Sequence, residues 1–292
     1  MSATPSEASL DCIVKPFDSR FSPEEWARGK SHFQNTFCLI WPRNRRKGIA
    51  DFYAFCRLAD DLADETSLPK NDRSLALSEI EDWVLTKKIT GHIFWDRFLL
   101  ELRDARVSDD ILLGVIRGVR KDLENPAIRF KSWSDLETYL FEVAGCVGLG
   151  VLSFFDIRGE QARDYAVHMG NFVQYINIMR DLEEDLSRGK VFLPEEFLIQ
   201  NRIGLTPSEP ADFARCREEL LSRAAAARQA AIPFHKACLI PELMGAIYRE
   251  GALKYWRYGI PQRLSKMEQA TAVLQTILQF TFDRTSLSDL SI

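Results

Sequence analysis

The sequence predicts an all-α protein, and three observations carry that expectation. Apolar residues recur at i, i+3, i+4 and i+7 through most of the chain. No run of alternating apolar and polar residues closes in a hairpin turn. Capping patterns precede several periodic runs: "SPEE" at 22–25, "SDD" at 108–110 and "SWSDLE" at 132–137.

In chain order the helical runs are "EEWARGKSHFQNTFCLIW", "RKGIADFYAFCRLADDLADE", "ALSEIEDWVLTKKI", "FWDRFLLELRDA" and "DDILLGVIRGVRKDLE". They continue with "WSDLETYLFEVAGCVGLGVLSFF", "ARDYAVHMGNFVQYINIMRDLEEDL", "ADFARCREELLSRAAAARQAA", "PELMGAIYREGALKYWRYG" and "KMEQATAVLQTILQF". Breaks fall at "TSLPKND" (66–72), "ENPAIRFKS" (124–132), "RGKVFLPEE" (188–196) and "LTPSEP" (205–210). All are too short to be flexible linkers. This gives one helical domain over 21–285, with tails at 1–20 and 286–292.

With 292 residues, 46% of them hydrophobic, the chain can bury a large core. A net charge of −4 without a long basic run argues against a nucleic-acid partner. The six cysteines form no CxxC pair, and the four histidines show no HxxxH or HExxH spacing. Reduced core thiols are expected, and no zinc site. The polar start "MSATPSEASLDC" is unlike a signal peptide, and no 18 consecutive residues are apolar. A cytoplasmic protein without a membrane span is expected. Peripheral membrane contact stays open, as does the choice between monomer and homodimer.

The chemistry concentrates in two stretches. Tyr53, Arg57, Asp60 and Asp64 are spaced 0, 4, 7 and 11, which places them on one helix face. Apolar residues fill most of the remaining surface, and Asp61 flanks the stripe. A helix that is apolar over its wider part is a buried one, so its polar stripe faces a cavity or a partner. Gln174, Asn177, Asp181 and Asp185 are spaced 0, 3, 7 and 11 on a second helix, with Arg180 and Glu184 beside them. Two Asp pairs facing each other need cations. Carboxylates without His or Cys suit Mg²⁺, which bridges acids to substrate phosphates. Arg57 and Arg180 add phosphate-binding forks. The pattern predicts Mg²⁺–diphosphate binding inside a helical bundle.

At these residues the chain resembles the squalene/phytoene synthase family of head-to-head prenyl transferases. The resemblance rests on "YAFCRLADDLADE" (53–65), "YLFEVAGCVG" (139–148) and "QYINIMRDLEEDLSRGKVFLP" (174–194). It covers roughly 25–270 and implies a bundle of the isoprenoid synthase type with a central apolar cavity. It implies that Asp60 and Asp64 form one Mg²⁺-binding pair and Asp181 and Asp185 the other. Tyr53 and Arg57 match residues beside the first diphosphate, and Gln174, Asn177 and Arg180 match residues lining the second helix. Val143 and Gly145 match the small-residue segment that lines the cavity. Close helix crossing is the competing account of Gly145 and Gly148. In "IYREGALKYWRYGIPQRLSK", Tyr248 and Arg263 match a tyrosine and an arginine near the diphosphates. One departure stands at "KSHF" (30–33): Phe33 matches, while His32 replaces a usual serine.

The resemblance implies joining of two prenyl diphosphates through a cyclopropylcarbinyl diphosphate. A quench by hydride from NADPH, by proton loss or by water would follow. Phe37, one turn after Phe33, adds bulk near the chain pocket. It tilts the expectation toward two farnesyl over two geranylgeranyl diphosphates. The competing readings are a terpene cyclase or head-to-tail synthase, which "DDLAD" (60–64) superficially fits, and a non-catalytic assembly protein derived from the family. The latter would be expected to have lost some of the four Asp residues.

Overall fold

The computed structural model describes residues 43–64, 68–125, 127–204, 206–231, 238–258 and 264–282. The eleven α-helices of this region are α1 (Arg43–Asp64), α2 (Lys70–Thr86), α3 (Ile93–Asp104), α4 (Asp109–Glu124), α5 (Trp133–Leu140), α6 (Cys146–Phe154), α7 (Glu160–Ser187), α8 (Glu195–Gln200), α9 (Pro210–Ala230), α10 (Leu239–Tyr258) and α11 (Lys266–Phe282). A π-helical segment, Phe141–Gly145, joins α5 to α6. Among the described residues there is no strand, only an isolated bridge between Arg129 and Val191. The expected all-α class is what the chain adopts. The first expected helix, with "SPEE", lies outside the described residues.

The described residues form two compact units. The first holds α1 to α4 and takes back Ser153–Asp156; the second holds the rest. In the first unit α1 packs on α2, α3 and α4. Phe52, Ala54, Phe55, Leu58, Ala59 and Leu62 are all fully buried, so the apolar side of α1 wraps most of the helix. Phe52 stacks on Phe55 at 6.4 Å between ring centroids and meets Phe154 at 6.1 Å. At Gly48 a Cβ would stand 2.4 Å from the Phe154 ring, so only glycine lets that ring seat against α1.

Two element ends differ from the sequence reading. The helix expected to reach Ile89 stops at Thr86, because Lys87 turns left-handed (φ 53) and donates its N–H to the Trp83 carbonyl. His92 then caps α3, its Nδ1 accepting from the Phe94 N–H at 3.1 Å. In the stretch read as a break after 188, Glu195–Gln200 forms the short helix α8. Its Glu196 accepts from the Trp133 N–H at 2.7 Å.

In the second unit the 28-residue α7 is the central element. It packs on α9, α10, α5 and the π-helical segment. Ser132 and Asp135 form the expected capping box at the start of α5. At Gly170 a Cβ would lie 2.8 Å from the Gly145 nitrogen, so two backbones touch where the π-helical segment crosses α7. The Glu242 carboxylate, 2% exposed, accepts from the Tyr165 hydroxyl at 2.7 Å and from Arg228 at 2.5 Å. That network satisfies three buried polar side chains from α7, α9 and α10 at once. The helix Trp133–Phe154 is long and apolar enough to cross a membrane, by length and composition alone. Half of its most apolar window is buried within the protein, as in a core helix. Cys146, Cys216 and Cys238 are buried and Cys56 half-buried, all as free thiols; Cys12 and Cys38 lie outside the described residues.

Candidate active site

The first acidic stripe lies on α1 where the helical phase put it. Tyr53, Arg57 and Asp60 are half-buried and Asp64 is exposed, against the fully buried apolar side. Arg57 forks between two acids, 2.7 Å from Asp60 and 2.6 Å from Asp61. Asp61, read as a flanking residue, is a buried counter-ion for that arginine. Burial alone would lower the Arg57 pKa, yet the charges of Asp60 and Asp61 more than offset it and raise it. The Asp60 carboxyl is pushed up to about 6, first by desolvation and then by the charge of Asp64. Asp122 of α4 pushes in the same direction. That third acid was missed in the sequence, because nothing in "VRKDLE" places it near α1. Arg73 of α2 donates to the Ala63 carbonyl at 2.8 Å, bracing the acidic end of α1.

The second stripe lies on α7. Gln174, Asn177, Asp181 and Asp185 are all half-buried, while Tyr175, Ile176, Ile178, Met179 and Leu182 are buried. The exposed Arg180 grips Asp181 with two hydrogen bonds, Nε to Oδ1 at 2.7 Å and Nη2 to Oδ2. Those bonds raise the Arg180 pKa, helped by the charges of Asp181, Tyr248 and Asp185. Tyr248 of α10 therefore belongs to this stripe's electrostatic neighbourhood. Asp185 is pushed up to about 6 by desolvation and by Asp181, while Lys190 and Arg188 pull it down. Asn177 approaches Gln174 at 3.4 Å, and its own Oδ1 has no hydrogen-bond partner. Val143 and Gly145 both fall in the π-helical segment, with Gly145 at the crossing with α7. Phe33 and Arg263, with Lys30, His32 and Phe37, lie outside the described residues.

Both stripes share one electrostatic signature. A carboxyl held near pKa 6 beside a second Asp gains from a nearby cation, which offsets the like charge and favours the ionised form. No group of three or more His, Cys, Asp or Glu among the described residues is placed to hold a metal alone. Each stripe instead offers two carboxylates, the small protein share typical of Mg²⁺ that is completed by water and phosphate. A groove of about 510 Å³ on the first unit, lined by Leu75, Trp83 and Ile89 among others, contains none of these residues.

Residues 27–253 match the model of the squalene/phytoene synthase family. The chain belongs to that family. The matched region takes in both acidic stripes and Tyr248 and ends before Arg263. A presqualene diphosphate synthase from Sinorhizobium fredii is 30% identical over 171 residues, 58% of this chain and 60% of that protein. A phytoene synthase from Rhodobacter capsulatus is 27% identical over 209 residues, 68% of this chain and 60% of that protein. The chain thus spans about 60% of the length of these relatives. In fold it is similar to a dehydrosqualene synthase crystallised with a ligand, with a TM-score of 0.75 and 22% identity. That likeness covers 93% of this chain and 99% of that one.

Proposed function

We propose that the chain is a prenyltransferase that condenses two prenyl diphosphates head to head. The observation that carries this is the pair of matching stripes, each with a raised carboxyl beside a second Asp and an arginine, in a chain of this family. Asp60 and Asp64 would hold Mg²⁺ on α1, and Asp181 and Asp185 on α7. Bound there, Mg²⁺ would supply positive charge against the departing diphosphate. Arg57 and Arg180 exchange their present carboxylate partners for phosphate oxygens, with Tyr53, Gln174, Asn177, Tyr248 and Arg263 completing the polar contacts. Phe33, Val143 and Gly145 line the path of the hydrocarbon.

The first substrate loses diphosphate as its C1–O bond breaks, leaving an allylic cation. The double bond of the second substrate attacks that cation, and loss of a proton closes a cyclopropylcarbinyl diphosphate. The name of the presqualene diphosphate synthase relative supports this product and two farnesyl substrates. The name of the phytoene synthase relative supports the alternative, two geranylgeranyl diphosphates. NADPH enters only if the product is squalene.

Incubation of the purified protein with Mg²⁺ and farnesyl or geranylgeranyl diphosphate, with and without NADPH, tests the reading. Mass spectrometry should find a product built from two prenyl units. A cyclic product containing one prenyl unit would replace the condensation with cyclase chemistry.

A further inference from the structure

The side of α1 that meets α3 lies opposite its acidic stripe. Asp51 and Phe55, one turn apart, both reach α3. The Phe55 ring meets Phe98 at 5.8 Å between centroids. The buried Asp51 carboxylate accepts two hydrogen bonds from Arg97, from Nε at 2.9 Å and from Nη2 at 3.0 Å. Helical phase places Tyr53, Arg57, Asp60 and Asp64 about 120° to 180° around α1 from Asp51. A change in how α1 seats on α3 therefore displaces the stripe on its far side. Glu101, one turn along α3 from Arg97, closes this seat. Its Oε1 stands 3.9 Å from the Arg97 Nε, whose hydrogen already goes to Asp51. Its Oε2 is buried and has no hydrogen-bond partner. The charged groups that act on Glu101 are Asp51 and Lys47 from α1 and Arg97 from its own helix. A proton on Glu101 makes its carboxyl a donor to Asp51 and removes the like charge. Without that proton, two carboxylates crowd a guanidinium whose fork one of them already holds, and a buried oxygen stays unpaired. Burial and the contact with Asp51 accordingly push the Glu101 carboxyl up to about 8.

We infer that Glu101 is a positioning residue for the proposed reaction: its proton keeps α1 seated on α3, and loss of that proton displaces α1 and, with it, the first acidic stripe. The inference rests on the reading above that Asp60 and Asp64 hold Mg²⁺ and diphosphate. The action of Glu101 runs through Asp51 and the body of α1. The protonated seat is filled below pH 8 and emptied above it. One pH unit higher, about one molecule in ten keeps the proton, and apparent affinity falls with that competent fraction, about 10-fold.

The test uses the full chain with Mg²⁺ and inorganic pyrophosphate as the probe, between about pH 7 and pH 9, either side of the Glu101 titration. Titration calorimetry gives dissociation constants, and hydrogen exchange read by mass spectrometry follows residues 52–62 of α1. Each value is taken as the ratio of wild type to variant at one pH, which cancels the ionisation of pyrophosphate and the intrinsic exchange rates. Glu101→Gln gives Asp51 a permanent N–H donor, and Asp51→Asn donates to Glu101 and removes the like charge. At the lower pH, wild type and both variants should bind the probe alike to within about twofold. At the higher pH, wild type should bind about 10-fold more weakly than either variant, and its α1 amides should exchange at least about threefold faster. A wild-type to Glu101→Gln ratio that stays constant with pH would overturn the inference; if that variant does not fold, the same outcome with Asp51→Asn decides. Weaker binding at the higher pH without faster exchange in α1 would also overturn it, as would faster exchange without weaker binding. Failure of the diphosphate reading is separately visible, as wild type that does not bind the probe at the lower pH; the exchange ratio then still decides whether the proton seats α1.

Discussion

Arg57 holds two acids with one guanidinium, and this shapes what the first stripe does without a ligand. Asp61 is the buried partner, while the Asp60 side chain is 49% exposed. Asp60→Asn removes a carboxylate that its surroundings disfavour when ionised. At pH 8 with chelator present, that variant should melt higher than wild type. It should also lose most of the stabilisation that Mg²⁺ with pyrophosphate gives wild type in a thermal-shift assay. A second titrating group sits deeper. Asp51, 1% exposed, takes two hydrogen bonds from Arg97, at 2.9 and 3.0 Å. Glu101 beside it is pushed up to about 8, by desolvation and then by its hydrogen bond to Asp51, against the opposing charges of Arg97 and Lys47. Because the folded-state pKa is raised, Glu101 contributes stability that is complete below pH 4.5 and is lost as pH rises through 8. Glu101→Gln should match wild type in urea near pH 4 and exceed it increasingly toward pH 9. A constant difference across that range would remove the shared proton from the account.

At the scale of elements, phase along a helix was legible and contact between helices was not. Tyr53, Arg57, Asp60 and Asp64 could be placed on one face because α1 is regular and its rise is local geometry. Asp122 and Arg73 could not be assigned to that neighbourhood, since packing of α4 and α2 on α1 decides it. Gly145 and Gly148 left lining and crossing unresolved, and the structure supplies the crossing: Gly145 meets Gly170 backbone to backbone, and a Cβ added at Gly148 would lie 3.3 Å from the Ala166 Cβ. The π-helical turn was not readable, because its register shift shows only once α7 is alongside. The three glycines therefore differ in tolerance. Gly170→Ala forces two backbones apart and should cost about 1–3 kcal/mol, read as a lowered urea midpoint. Gly148→Ala meets Ala166 at 3.3 Å or more, its methyl first and its backbone beyond, and should cost less. If both variants unfold at the same midpoint, the close crossing is not what sets the cost.

For the whole molecule, the helical class was carried by periodicity that runs through the described chain. The division at Asn125 coincides with the break "ENPAIRFKS", whereas the return of Ser153–Asp156 to the first unit does not show in local sequence. That return depends on Phe154 seating against Phe52 and Gly48, a contact between residues about 100 positions apart in the chain. Each unit carries one acidic stripe, and the function proposed above assigns both to the same reaction. Asp60→Asn alters a stripe of the first unit and Asp181→Asn a stripe of the second. Each alone should lower turnover at least about 100-fold, the scale of losing one preorganised group that stabilises developing charge. Groups that serve one reaction as a unit are strongly non-additive. The double variant should therefore fall by much less than the product of the two losses, within about tenfold of the weaker single variant. Circular dichroism at 222 nm should show unchanged helix content in all three. Losses that multiply would mean that the stripes act independently, each on its own substrate and step. Turnover retained in both single variants would remove the metal assignment from these four aspartates.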